Sequence, residues 1–269
     1  MHIKKEQIEE WAAKKHFQEE AHAEIDLRLE FLLNATYQKE WLRKHLIFKG
    51  GTALHKIHLK ENLRFSEDID LEHRQNQKMF ETINQILHLF EELDMEGKGI
   101  NQKNNYKILS FYNSEITNQR ERVKMEIGYR EDFSILGYTQ KILDINNVCF
   151  ASKVLVNTYD INEILSQKTR ALYQRIKGRD LYDLFVSRLH PDFDIEKIAQ
   201  CFIQHMTDQK SRNSIMPTEK EFILNIEKKE KNSDFINDIY RCLKTNVEYD
   251  QSEAFEWAKK DFVPDLIQE

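Results

Sequence analysis

The chain changes character with the period of its apolar positions. Between residues 5 and 43, Ile8, Trp11 and Ala12, and then Ile25, Leu29, Leu32 and Leu33, recur at helical spacing with no glycine or proline between them. This predicts a helical cover in which Asn34, Ala35 and Thr36 are the place that could hold a turn. Leu46, Ile47 and Phe48 then form a short apolar run that stops at Gly50 and Gly51. A helix-like segment follows to about Lys60, and a second extended run ends in Ser66-Glu67-Asp68-Ile69-Asp70-Leu71. Residues 76–94 trace one helical face through Met79, Phe80, Ile83, Ile86, Leu87, Phe90 and Leu93. Gly97-Lys98-Gly99 predicts a loop after it. Tyr106 to Tyr112 and Arg122 to Tyr129 read as strands joined by a turn over 113–119, hence an antiparallel pair. Ile142 to Phe150 reads as one more short strand.

Beyond residue 151 the pattern turns helical. Residues 161–190 give a basic amphipathic stretch broken at Gly178, and Ile195, Ile198, Ala199, Phe202 and Met206 give another helix. Thr218 and Glu221 fit a capping box for the next, and Phe235, Ile236, Ile239, Tyr240 and Leu243 suggest one more. Phe255 and Trp257 dock a last helix. The succession predicts an α+β fold: a small mixed sheet with N-terminal helices and a C-terminal helical region. The division is expected between residues 1–150 and 151–269.

Composition narrows this reading. Of 269 residues, 40% are hydrophobic and 32% charged, with only 7 Gly and 3 Pro, which disfavours a loop-rich all-β protein. The net charge of −6 excludes a polybasic nucleic-acid binder, so any RNA contact has to come from a local patch. No run of about 18 apolar residues occurs, so no membrane span is expected. The start is charged and lacks an apolar leader, and Cys149, Cys201 and Cys242 lie far apart. A cytoplasmic protein is the expectation.

The candidate chemistry sits in the second extended run. Strand side chains alternate, so Asp68 and Asp70 project to one side while Ile69 and Leu71 enter a core. Adjacent carboxylates repel and call for a counter-charge, and hard oxygen ligands suit Mg2+. The Gly50-Gly51 pair lets the backbone approach a ligand and turns N–H groups toward phosphate at a helix start. Lys56, one turn beyond Thr52, either reaches a phosphate or is a solvated lysine. His55 and His58 lack a third ligand nearby and read as structural. Glu126 is an acid in mid-strand, framed by Met125 and Ile127. Farther on, Lys168, Arg170, Arg175, Lys177 and Arg179 make a cationic stretch, and Lys168 and Arg175 share a helix face. Asp180 and Asp183 stand at the next helix start, where they suit the dipole or pair with those bases.

The strand, Gly-Gly-Thr and helix, followed by Arg64-Phe65-Ser66-Glu67-Asp68-Ile69-Asp70, resemble the first motif of nucleotidyltransferases of the DNA polymerase β fold. More narrowly they resemble the AbiEii/AbiGii toxin family of bacterial abortive-infection and toxin–antitoxin systems. The resemblance covers roughly residues 46–190. It implies a polymerase β-like core in which Asp68, Asp70 and Glu126 hold Mg2+. Gly50, Gly51 and Thr52 would bind the triphosphate, with Lys56, Arg64 and Ser66 near it. Lys168 would contact the nucleotide, with Arg175 beside it and Asp180, or else Asp183, as the required aspartate. The implied activity is Mg2+-dependent transfer of a nucleotide from an NTP to an acceptor, preferably tRNA, by a toxin with a cognate antitoxin. Two other readings are a transferase acting on an antibiotic or metabolite, and a non-catalytic nucleotide-binding protein. Retention of all three acids argues against the last.

Overall fold

The computed structural model describes residues 2–59, 63–74, 78–103, 105–129, 133–207 and 215–267. It divides into two compact units. The first holds Met1–Ser134, Tyr138–Tyr159 and Lys244–Asn246, and the second Ile135–Gly137, Asp160–Leu243 and Val247–Glu269.

The first unit is built on a seven-stranded sheet. Its strands are β1 (Leu46–Lys49), β2 (Asp68–His73), β3 (Glu96–Asn101), β4 (Asn105–Asn113), β5 (Arg120–Gly128), β6 (Tyr138–Asn146) and β7 (Ala151–Tyr159). They lie in the order β3-β4-β5-β2-β1-β7-β6. The pairs β2–β5 and β1–β7 are parallel and the others antiparallel. The order explains the sequence pattern. Strand β1 has neighbours on both edges, and Leu46, Ile47 and Phe48 are fully buried, which is why they read as an unbroken apolar run. Strands β4, β5 and β6 alternate in burial over part of their length.

Helices α1 (Lys5–Lys15), α2 (Glu20–Gln38) and α3 (Glu40–His45) replace the expected single cover. The first break falls at His16, not at residues 34–36. His16 takes a left-handed conformation (φ 58°) and its N–H closes on the carbonyls of Ala12 and Ala13. Thr36 is buried inside α2. Helix α4 (Gly50–Ala53) continues as a π-helical turn (Leu54–His58), and α5 (Met79–Glu92) buries Thr82, Ile83, Ile86, Leu89 and Phe90. The expected ends at Lys60 and residue 76 lie outside the described residues. Gly97-Lys98-Gly99 is not a loop but the start of edge strand β3. The Phe90 ring lies over Gly97, so a side chain there would overlap it.

Helices form the second unit: α6 (Ile161–Gln174), α7 (Gly178–Ser187), α8 (Ile195–Thr207), α9 (Glu219–Glu230), α10 (Ser233–Tyr240), α11 (Gln251–Trp257) and α12 (Val263–Leu266). The Thr218/Glu221 capping box is formed. Residues 151–159, which the sequence pattern groups with the helical region, instead form β7 and hydrogen-bond to β1 and β6. Val154, Val156 and Tyr159 are buried, and the exposed residues alternate with them until Leu155, so the run carries a strand period. Among the described residues no helix is long and apolar enough to cross a membrane.

Candidate active site

Strands β2 and β5 run in parallel with Asp68 opposite Lys124 and Asp70 opposite Glu126. Register partners project to the same face, so Asp68, Asp70, Lys124 and Glu126 share one side of the sheet. Ile69 and Met125, which alternate with them, are fully buried on the other side. The buried apolar residues thus fix which way the acids point, since a one-residue slip would drive them into the core.

Lys124 is the cation among the acids. Its Nζ lies 2.8 Å from Asp68 Oδ2 and 3.4 Å from Glu126 Oε2. Lys107 Nζ, opposite Glu126 on β4, lies 3.9 Å from Glu126 Oε2, and the Asn105 side-chain amide donates to Glu126 Oε1. Burial raises the Asp68 carboxyl above its ordinary range, Lys124 opposes the rise, and the Asp70 and Glu67 charges add to it. For Lys124, burial works against the charge, but its bond to Asp68 and the charges of Asp68, Glu126 and Asp70 raise the ammonium pKa.

The other flank of the acid pair is β1 and the start of α4. Lys49 is the register partner of Asp70 and reaches on to Glu72. Gly50 has φ +76°, and a side chain there would run into the Asp70 carboxylate, with 2.9 Å to Asp70 Cβ. Only glycine suits both the backbone angle and the approach. Thr52 is buried; its hydroxyl lies 2.7 Å from Ser66 Oγ and 2.5 Å from the Asp68 carbonyl, to which it donates. These bonds tie the glycine turn to the strand that carries the acids. Beside Asp68 and Lys124 opens a groove of about 850 Å³, walled along β5 by Arg120 and Arg122 and along β3 by Lys98. Glu67, Glu96 and Glu121 interleave with these cations.

Two residues expected near the triphosphate are committed elsewhere. Lys56 Nζ bonds Asp26 Oδ1 and Glu30 Oε1, each at 2.8 Å. The Trp11 indole donates to Asp26 and the Asn147 amide to Glu30, completing a buried network anchored on α2. Burial opposes the charge on Lys56, but the two carboxylates hold its pKa above the ordinary lysine value. Helix α2, which reads as a plain cover, therefore carries paired buried charges. Arg64 is 1% exposed, and its guanidinium donates to the Phe65 carbonyl at 2.9 Å.

In the second unit, Lys168, Arg175, Asp180 and Asp183 meet in one cluster. Lys168 Nζ lies 3.2 Å from Asp180 Oδ1 and 2.9 Å from Asp183 Oδ2, and both aspartates are fully buried. Arg175 caps the end of α6 and grips Asp180 with Nε and Nη2 at 2.7 and 2.8 Å, a bidentate pair. Burial alone would raise Asp180, but Lys168 and Arg175 overcome it and hold the carboxyl below its ordinary range.

The three carboxylates are a hard oxygen donor set on one face, the type that suits a divalent cation. Lys124 stands between two of them, and among the described residues no three His, Cys, Asp or Glu converge closely enough to hold an ion. The donor chemistry of the three carboxylates is of the metal-binding type, while in this arrangement Lys124 supplies the counter-charge. Lys124, Lys107 and Asn105 are the site residues the sequence reading passed over. Lys124 had a signal, its two-residue spacing from Glu126; Asn105 and Lys107 depend on the β4–β5 register.

The model of the AbiEii nucleotidyl transferase toxins of type IV toxin–antitoxin systems matches residues 32–261. No curated protein sequence matches the chain. Among solved structures, the nucleotidyltransferase toxin MenT4 from Mycobacterium tuberculosis H37Rv superposes with a TM-score of 0.70 at 16% identity, covering 99% of this chain and 91% of that one. The structure of JHP933 from Helicobacter pylori gives 0.53 at 20% identity, covering 89% and 88%. At these identities the structural matches establish the shared fold, and the family match spans most of the sequence. The chain belongs to the AbiEii family of nucleotidyl transferase toxins.

Proposed function

We propose that this nucleotidyltransferase moves a nucleotidyl group from an NTP to a hydroxyl of an RNA acceptor, tRNA, with Mg2+ held by Asp68, Asp70 and Glu126. The observation that carries the reading is the β2–β5 register, which sets Asp70 opposite Glu126 and Asp68 opposite Lys124, with Gly50 against Asp70. In the reaction the acceptor oxygen bonds the α-phosphorus as the bond to pyrophosphate breaks. A bound divalent cation supplies charge neutralisation to the triphosphate. The chain's residues divide the remaining work. Gly50 and Gly51 turn backbone N–H groups toward the phosphates. Thr52 and Ser66 fix the glycine turn relative to Asp68. The proton of the attacking hydroxyl leaves to water or to a carboxylate oxygen of the acidic face.

The groove beside Asp68, with Arg120, Arg122 and Lys124 at two-residue steps along β5, gives room for an acceptor strand, although Glu67, Asp68, Glu96 and Glu121 balance its cations. For Lys168, Arg175, Asp180 and Asp183 we retain the roles the family resemblance implies: Lys168 toward the nucleotide charge, Asp180 holding Lys168. The buried cluster supports Asp180 holding Lys168, while the assignment of Lys168 to the nucleotide rests on the family resemblance alone. Membership of a type IV system gives the protein an antitoxin as counterpart and an NTP as substrate.

The test is incubation with each labelled NTP, total tRNA and Mg2+. Label in RNA, lost in Asp70→Asn, is the expected result. A folded protein that labels no RNA but labels an aminated small molecule would replace the acceptor assignment. Labelling that persists in Asp70→Asn would overturn the site.

A further inference from the structure

A second concavity, of about 820 Å³, lies wholly within the helical unit, and no step of nucleotidyl transfer uses it. Glu230, Glu248, Asp250 and Glu253 line it, and no basic side chain does. Ile236, Tyr240, Tyr249 and Phe255 supply the apolar and aromatic part of the wall. The volume is that of an ordinary ligand site.

Some of the acidic charge is already met from outside the wall. Lys259 pairs with Glu230 at 2.9 Å and Arg188 with Glu253 at 3.1 Å. Asp250 accepts the N–H groups of Ser252 and Glu253 as the cap of α11. No cation reaches these acids from among the lining residues themselves.

A separate observation points to a ligand. Gln251, in the same wall, is only 7% exposed, and its Nε2 has no hydrogen-bond partner among the described residues. The Tyr249 hydroxyl is likewise buried without one. Buried amide and hydroxyl groups are nearly always satisfied, because stripping water from them without replacement is costly. The donor at Gln251 asks for an acceptor oxygen, and the carboxylates around it ask for a cation.

The composition of the wall selects the occupant. A single metal ion does not suit it, since among the described residues no three acidic, His or Cys side chains converge on one point. Phosphate and nucleic acid are repelled. A simple polyamine brings the charge but no acceptor for Gln251. A peptide bearing lysine or arginine brings both: cationic heads for the carboxylates and Tyr240, which is 44% exposed, and main-chain carbonyls for the buried amide. We propose that this pocket is a docking site for a basic peptide segment of a partner protein, anchored by Glu248 and Gln251. The site adjoins α7 through ring contacts: Tyr249 meets Tyr182 edge-on at 4.9 Å and Phe185 at 6.0 Å. Tyr182 is the neighbour of Asp183, so an occupant resting on Tyr249 stands one ring from the segment that binds Lys168.

The experiment uses the full chain and calorimetry with three probes: an end-blocked Lys-Arg-Lys peptide, the matching Glu-Glu-Glu peptide, and spermidine. The expected result is one-to-one binding of the basic peptide, weakened by salt, with no binding of the acidic one. Glu248→Gln and Gln251→Leu each weaken it several-fold. Gln251→Leu, which removes an unpartnered amide, leaves the melting temperature equal to or above that of the wild type, so its binding loss is not a folding loss. Failure of the basic peptide to bind the wild type overturns the proposal, as does equal binding by both variants. Spermidine that binds as tightly as the peptide, with the same sensitivity to Gln251→Leu, also overturns the assignment to a peptide. None of these outcomes depends on which acceptor the enzyme labels.

Discussion

Gly50 lies so close to the Asp70 carboxylate that position 50 has no room for a side chain, and its backbone sits at φ +76°. Gly50→Ala therefore meets two obstacles at once. The left-handed backbone costs about 1–2 kcal/mol for an L-residue, and the added methyl displaces Asp70. We expect a melting temperature lowered by several degrees and transfer reduced at least about tenfold, since a misplacement near 1 Å at a reacting centre is that costly or more. Thermal melts and labelling assays on the same sample check both parts. Wild-type transfer by Gly50→Ala would show that the close approach is not used.

Replacing one acid should separate activity from stability. Asp68 and Asp70 repel one another, and Asp70 helps to raise the Asp68 carboxyl. Asp70→Asn relieves that repulsion, so the protein should melt no lower than the wild type while transfer falls roughly a hundredfold or more. Stripping divalent cations with a chelator should abolish transfer equally in the wild type, with recovery on adding Mg2+. Transfer that survives chelation contradicts the metal assignment.

Lys56 should behave in the opposite way. Its ammonium is shared by Asp26 and Glu30 beneath α2. Lys56→Met takes the shared ammonium away from two buried carboxylates, a loss of about 3–5 kcal/mol. Urea unfolding should show a lower midpoint, while the folded fraction transfers nucleotides at the wild-type rate. A variant of wild-type stability that fails in catalysis would return Lys56 to the phosphates.

How far the sequence disclosed this protein follows from the range of the interactions concerned. Asp68 and Asp70 were legible because a strand has a period of two and their alternates are apolar. Glu126 was legible by the same alternation, its register with Asp70 only through the family resemblance. The surroundings of Lys56 were not legible because its partners lie on α2, about a turn of helix apart from each other but far from it in sequence. Spacing reports the face a side chain occupies and not what covers that face. Residues 151–159 were grouped with the helices because their pairing with β1 and β6 is non-local. The break at His16 had no glycine or proline to announce it.

The Asp180 cluster gives a pH signature of known sign. The folded protein holds the Asp180 carboxyl below its ordinary range, so its ion pairs stabilise fully above the unfolded-state pKa, near 3.9. That stabilisation is lost as pH falls through the folded value. Arg175→Gln removes the bidentate half of the pairing while Lys168 remains. Because the Arg175 side chain is 53% exposed, we expect a modest loss, about 1–2 kcal/mol at pH 7. The deficit should shrink as pH drops below about 4, where the unfolded chain takes up the proton before the folded protein does. Urea midpoints for both proteins between pH 3 and pH 7 test this; a deficit constant across that range would place the stabilising effect of Arg175 somewhere other than Asp180.

The route of the chain between the two units has a consequence for synthesis. Polypeptide enters the helical unit briefly at Ile135–Gly137, returns for β6 and β7, and comes back once more at Lys244–Asn246. There Thr245 donates its N–H to the His16 carbonyl and Lys244 rests on the Phe17 ring. A ribosome that has already delivered Gly50, Asp68, Asp70 and Glu126 has therefore not yet delivered the last pieces of the unit containing them. Nascent chains should stay harmless to the cell that makes them until residues 244–246 have been made.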